Sequence, residues 1–199
     1  MSESDEFARL LNRHFSSFRP LSPLQTAELY KHYQLLCRWN KSLNLTTITG
    51  LEESVVRHYC ESLFLTIYLP EEAVSVLDVG SGGGFPGIPL AILRPDCAVA
   101  LADSHQRKAV FLREATRHLR NVRVEPRRAE VLDTGTYDWV VSRAVKPSEV
   151  VKLAPKRVSL LLGEEDAIGI ASMAGFEWQP LVSLPWGKRR VLLRGQRAS

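Results

Sequence analysis

Between Val74 and Ile92 the chain reads VSVLDVGSGGGFPGIPLAI, and no other stretch limits the possible folds as strongly. The opening VSVLDV is a largely apolar run, the pattern of a strand buried on both faces of a parallel sheet. Five glycines follow within the eight residues Gly80 to Gly87, and a helix is expected from about Pro86 to Leu93. Glycine lacks a Cβ and tolerates positive φ, so a backbone this rich in it invites close approach by a ligand. A merely tight turn needs fewer glycines. In an open α/β sheet, ligands bind outside the carboxyl ends of the strands, and Gly80 to Gly84 lies there.

The rest of the chain fits that sheet. PLSPLQTAELYKHYQLLCRWNKSLNLT carries a helix start, with Ser22 as cap, Pro23 in the first turn and Gln25 completing a capping box. A second helix is expected from Glu52 to Tyr68, so residues 1–70 read as a helical extension. From 71 to 199 strands and helices alternate: CAVALAD, the helix SHQRKAVFLREATRHL, VRVEP, YDWVVSRA, a helix near Ser148 to Leu153, RVSLLLG, and a helix near Asp166 to Ala174. FEWQPLVSL and KRRVLLRG, joined at PWG, read as a closing antiparallel pair. The expected fold is α/β: a doubly wound, mostly parallel, Rossmann-like sheet with an antiparallel edge strand, packed with its helical extension as one unit. A chain of 199 residues, 45% hydrophobic, is long enough for that core.

Which ligand the turn serves is decided by its neighbours. Gly82-Gly83-Gly84-Phe85-Pro86-Gly87 matches G-x-G-x-x-G, a weak signal alone. A dinucleotide site offers free amides in the first turn of the following helix, and Pro86 and Pro89 remove two of them. A Walker A loop is excluded, since no Lys-Ser or Lys-Thr follows the glycines. Asp103 ends the second strand, where a carboxylate can accept both hydroxyls of an adenosine ribose; the competing reading is a helix cap beside Ser104. Asp78, two residues before Gly80, suits a cationic sulfonium better than a pyrophosphate. The balance favours S-adenosylmethionine over a nicotinamide cofactor.

Charge distribution adds a partner class. His105 to Arg128 holds eight Lys or Arg residues against Glu114 and Glu125, and Leu181 to Ser199 holds five bases and no acid. Two such clusters suit a polyanion, although a solvated helix face and a basic tail read the same way. No run approaches a membrane span, and MSESDEFARL is acidic rather than basic and then apolar, so a cytoplasmic protein without a membrane partner is expected. Cys37, Cys60 and Cys97 suit neither a disulfide framework nor a zinc site and are expected to be reduced and mostly buried; no metal site is expected.

VLDVGSGGGFPGIPLAI, Asp103-Ser104 with Arg107-Lys108, FLREA, NVRV, RRAE and YDWVVSRAV resemble the successive motifs of the RsmG family, formerly the glucose-inhibited division protein B family. RWNKSLNLT and VVRHYCESL resemble its helical N-terminal signature, and the likeness runs from about Gln25 to Lys146. The resemblance implies an S-adenosylmethionine-dependent methyltransferase acting on N7 of a guanine in bacterial small-subunit (16S) ribosomal RNA, with the small ribosomal subunit as partner; a monomer is expected, although the sequence does not fix the oligomeric state. It implies cofactor contacts at Gly80, with Ser81 and Gly82 beside it in the turn, and at Phe85, Ala129, Glu130 and Arg143, alongside Asp78 and Asp103. Arg143 is implied at the methionine carboxylate or the RNA, against a plain ion pair with Asp78 or Asp138. Arg128 is a further substrate contact, or simply a solvated arginine. No catalytic acid or base is named, because guanine N7 carries a free lone pair. After Lys146 the likeness weakens: Leu161-Leu162-Gly163 stands where relatives have Leu-Lys-Gly, and Lys146 or Lys188 is the expected substitute. The alternative function is a non-catalytic, S-adenosylmethionine-binding module of ribosome assembly.

Overall fold

The computed structural model describes residues 2–143 and 145–198. Helix α1 (Glu3–Phe15) starts at a capping box in which the Ser2 side chain accepts from the Asp5 amide and Asp5 accepts from the Ser2 amide. Its acids Glu3, Asp5 and Glu6 fill the first turn, where they oppose the helix dipole. Phe7, Leu10, Leu11 and Phe15, spaced for one helical face, are all buried. Helix α2 (Pro23–Leu43) begins at Ser22 with the expected Gln25 box and ends at Asn44, whose φ of 48° is left-handed.

The single helix expected over 52–68 is three pieces: α3 (Leu51–Ser54), a π-helical turn (Val55–Cys60) and α4 (Glu61–Ile67). Then follow β1 (Ser75–Val79), α5 (Gly87–Leu93), β2 (Ala98–Ala102), α6 (Gln106–Thr116), β3 (Val122–Glu125) and β4 (Trp139–Arg143). Ala144, which the sequence places at the end of β4, lies outside the described residues. Helix α7 (Pro147–Leu153) and β5 (Arg157–Gly163) come next. Helix α8 (Glu164–Ala171) begins two residues earlier and stops three earlier than expected, because Gly163 caps it and the left-handed Gly175 turns the chain into the next strand.

The last segment differs from the expected two-strand pair. FEWQPLVSL is two short strands, β6 (Phe176–Trp178) and β7 (Val182–Ser183), broken where Pro180 cannot donate to a ladder, and both pair with β8 (Arg190–Arg197). The sheet order is β3-β2-β1-β4-β5-β8-β6, with β7 also on β8. Strands β1 to β5 pair in parallel, and β8 runs antiparallel to β5. The doubly wound sheet is therefore as expected, with its antiparallel strand set inside β6.

Alternation along the strands divides the core. Val76, Val99, Leu101 and Val141 face a cluster shared with α1, α2, α4, α5 and α6, whereas Leu77, Ala100, Val140 and Val158 face α7 and α8. Each such buried aliphatic or aromatic side chain contributes about 1.5–3 kcal/mol. Phe7, Tyr33 and Tyr59 of the N-terminal helices lie in the same cluster as Phe85, Ile88 and Leu101, so those helices close one face of the sheet. Cys60 and Cys97 are buried, while Cys37 is exposed. Among the described residues no helix is long and apolar enough to cross a membrane, and no group of three His, Cys, Asp or Glu side chains could hold a metal.

Candidate functional site

Strand β1 lies between β2 and β4, pairing Val79 with Ala102 on one side and Ser142 on the other. The chain departs in opposite directions from this strand, which opens a crevice at its carboxyl end. The glycine turn fills the floor of that crevice. The Gly80 and Ser81 amides bond the Ala102 carbonyl at 2.8 and 3.1 Å, and the Gly84 and Phe85 amides return to the Ser81 carbonyl at 2.7 and 3.0 Å. Gly80 has φ 72°, and a Cβ there would collide with Val145 Cγ2.

A cavity of about 530 Å³ stands over this floor. Its lining includes Gly80, Ser81, Gly82 and Phe85 from the turn, Asp103 after β2, and Arg128, Ala129 and Glu130 after β3. Arg143 at the end of β4 completes the wall. Residues separated by more than sixty positions thus meet around one volume of the size that small ligands occupy. Lys108 and Arg127 also line it; the sequence marked both only as parts of the motifs Arg107-Lys108 and RRAE, without a role in the site.

Asp78 is the exception among the expected residues. Its side chain is fully buried beneath the turn, outside the cavity lining. Oδ2 accepts the Gly87 amide at 3.0 Å, and Oδ1 has no hydrogen-bond partner. Burial pushes its pKa up to about 7, against the lowering effect of the Ser81 and Gly87 donors. Such a carboxyl braces the start of α5 from below; the sequence spacing located it correctly next to the glycines but not on which side of them it points.

Asp103 makes the turn that leads into α6, where His105 rather than Asp103 or Ser104 is the cap. Oδ1 accepts the His105 amide at 2.8 Å, the turn that starts α6, and Oδ2 accepts the Gly82 amide at 3.0 Å. The carboxylate ties the glycine turn to the end of β2 while still facing the cavity. Each oxygen retains a lone pair. Glu130 is exposed at the mouth, and Ala129 beside it is buried.

Phe85 sits in a cage of polar aromatics. His58 stacks on it at 4.6 Å and 18°, His32 and Tyr59 approach edge-on at 5.1 and 5.2 Å, and the Arg143 guanidinium lies 5.1 Å from its ring. Arg143 donates to the Arg57 carbonyl at 2.6 Å and to His58 Nδ1 at 2.8 Å; it forms no ion pair with Asp78 or Asp138. Among the described residues no carboxylate lies within the 4.0 Å of an ion pair with it. The nearby Glu61, fully buried, is taken by Arg57 at 3.3 Å and Arg190 at 2.6 Å. Burial lowers the Arg143 pKa to about 10, which leaves it cationic. A cation held by neutral acceptors at a cavity wall has room for an anionic group. His32, His58 and Tyr59 were missed as site residues by sequence reasoning; the matched HYC within VVRHYCESL hinted at the last two, and no motif marked His32.

Comparison with known proteins points the same way. The family described as GidB, rRNA small subunit methyltransferase G, has a model that matches residues 25–165. A ribosomal RNA small subunit methyltransferase G of Xanthomonas oryzae pv. oryzae is 46% identical over 122 residues, covering 60% of this chain and 57% of that protein. Its namesake in Pelotomaculum thermopropionicum is 44% identical over 129 residues, 61% of this chain and 54% of that one. The chain thus matches a little over half the length of these relatives. Among solved structures, a SAM-dependent methyltransferase of Aquifex aeolicus superposes with a TM-score of 0.59 at 16% identity, over 73% of this chain and 93% of that one. The fibrillarin/Nop5p complex gives 0.58 at 16% identity, over 71% and 82%. At that identity the structural likeness speaks for the fold alone.

Proposed function

This chain belongs to the rRNA small subunit methyltransferase G family, and from that premise we propose that it transfers a methyl group from S-adenosylmethionine to N7 of a guanine in small-subunit ribosomal RNA. The observation that carries the reading is the cavity wall itself: a glycine floor without side chains, a carboxylate at the end of β2, and Arg143 without a carboxylate partner. These residues fit the cofactor's three parts. Asp103 would take the ribose hydroxyls, Ala129 and Glu130 the adenine edge, and Arg143 the methionine carboxylate. The glycines would let the backbone carbonyls approach the sulfonium.

When bound, the cofactor supplies an electrophilic methyl group on sulfur. Guanine N7 needs no base to accept it, so the protein's task is alignment. Lys108, Arg127 and Arg128 at the rim suit RNA phosphates, and Arg127 is partly occupied by Glu125 at 2.8 Å. A guanine splayed from a loop would reach the cavity past that rim.

The test is methyl transfer from labelled S-adenosylmethionine to small subunits from a strain lacking its own family member, followed by mapping of N7-methylguanosine by chemical strand scission. One methyl at one guanine is expected. Transfer to another atom or only to free RNA would discard the substrate assignment, and cofactor binding with no transfer to any RNA would favour the non-catalytic module.

A further inference from the structure

Arg143 is aimed by a chain of contacts that begins far from it in the sequence. Asn40, near the end of α2, grips Thr46 twice: its Nδ2 donates to the Thr46 carbonyl and its Oδ1 accepts the Thr46 amide, both at 2.9 Å. The loop after α2 is thereby held so that Thr46 Oγ1 lies 2.8 Å from His58 Nε2. On the other side of the ring, Arg143 Nη2 lies 2.8 Å from Nδ1. A guanidinium only donates, so Nδ1 is the acceptor and the ring proton sits on Nε2, donated to Thr46. The ring is locked between Thr46 and Arg143 with its face on Phe85. Burial, followed by the charge of Arg143, drives its pKa down to about 2, so the ring is neutral at neutral pH and its Nδ1 lone pair is free to accept.

The π-helical turn supplies the second anchor. In an α-helix the Glu61 amide would bond the carbonyl of Arg57, four residues back. Here it reaches the carbonyls of Val56 and His58 instead, and the Arg57 carbonyl accepts from Arg143 Nη1 at 2.6 Å. One turn of helix thus presents two neutral acceptors to one guanidinium, and two of its five N–H groups are engaged away from the cavity. Single π turns inside helices recur at functional sites for this kind of reason.

We propose that His58 is a positioning residue: with its tautomer set by Thr46 and Asn40, it orients the Arg143 guanidinium so that the remaining N–H groups meet the carboxylate of the bound methyl donor. This rests on the reading of the cavity as an S-adenosylmethionine site and deepens it. Arg143 touches the cofactor; His58 acts through Arg143. The Trp39-Asn40-Lys41 segment, which otherwise has no role in the site, finds one in holding Thr46.

The test compares two unreactive probes by titration calorimetry. S-adenosylhomocysteine carries the amino-acid carboxylate, and 5′-methylthioadenosine lacks it. His58→Phe keeps a ring against Phe85 but offers no acceptor, and the affinity for S-adenosylhomocysteine is expected to fall about tenfold or more. Its affinity for 5′-methylthioadenosine is expected to stay within about twofold of the unaltered protein, since a carboxylate contact is all that has been lost. His58→Asn, whose amide oxygen stands near the Nδ1 position, is expected to recover most of the loss. Thr46→Val, which leaves the core intact, serves as the second variant and is expected to show a smaller loss confined to the same probe. Equal affinities in all variants, or equal losses for both probes, would overturn the role of His58 and leave the cofactor reading standing. Failure of the unaltered protein to bind either probe would overturn both.

Discussion

His32 in α2 and Gly83 in the glycine turn are joined by a hydrogen bond of 3.0 Å from Nε2 to the backbone carbonyl, across 51 positions of sequence. The carbonyl can only accept, so the proton is on Nε2, and Nδ1 accepts from the Tyr59 hydroxyl at 3.0 Å. A helix that precedes the sheet therefore holds the floor of the candidate site. His32→Leu leaves two buried groups without partners, each costing about 1–3 kcal/mol. The expected result is a lowered melting temperature with weakened S-adenosylhomocysteine binding. Tyr59→Phe, which removes one donor and spares the bond to Gly83, should lose less of both; equal losses would refute the link.

Glycine at position 80 is required by space and by conformation together. Gly80→Ala would force a Cβ into Val145 at φ 72°, and the left-handed backbone alone costs roughly 1–2 kcal/mol. Binding of S-adenosylhomocysteine is expected to fall at least about tenfold, a shift of about 1.4 kcal/mol, because relief of the clash must move either the floor or the wall of the cavity. At Gly169 in α8, by contrast, a Cβ would meet nothing within 4 Å. There Gly169→Ala should raise stability by about 0.5–1 kcal/mol with binding unchanged, as chemical denaturation and calorimetry would show.

Three buried groups set opposing trends with pH. His32 and His58 have pKa values lowered to about 4 and about 2, chiefly by burial. The unfolded chain binds protons at these rings from about pH 6.5 downward while the native chain does not. Their contribution to stability is full above that value and is lost as pH falls, toward about 4 for His32 and on toward about 2 for His58. Asp78 works the other way: with its pKa pushed up to about 7 by burial, it keeps its proton in the native state while the unfolded carboxyl gives it up near 3.8. Its stabilising effect is present at low pH and lost as pH rises through about 7. Asp78→Asn is therefore expected to gain stability relative to the unaltered protein as pH rises from 4 to 7, on the order of 1 kcal/mol per pH unit. Urea denaturation across that range measures it, and a flat difference would mean Asp78 is ionised throughout.

Asp103 has two tasks that substitution separates. Asp103→Ala removes the acceptor for both the Gly82 and His105 amides, whereas Asp103→Asn keeps one oxygen. Affinity for 5′-methylthioadenosine, which retains the ribose, should fall about tenfold or more in the alanine variant and less in the asparagine variant. No change in either would remove Asp103 from the adenosine site.

Much of this protein is written in short-range spacing. The apolar run before Gly80, the glycines themselves and Asp103 one strand later mark a crevice at a carboxyl edge, because strand, turn and parallel pairing each leave a local signature. Ser22 with Gln25 announces α2 in the same way, and Ser2 with Asp5 carries an equal signal that begins α1. Long-range contacts decided the rest. Asp78 is buried because Gly87 folds back on it, nine residues away, and no periodicity tells a strand residue which layer will cover it. The break at Pro180 is local, but β6 and β7 share β8 only because that strand runs long enough to pair with both. The π turn at Val55–Cys60 exists in a segment whose spacing suits an α-helix. There the gain comes from Arg143, more than eighty residues on, whose guanidinium takes the carbonyl and the histidine that the turn sets free. Sequence alone determined where a ligand can approach the backbone; tertiary contact determined which side chains are aimed at it, because aiming depends on partners that only the fold brings within hydrogen-bond reach.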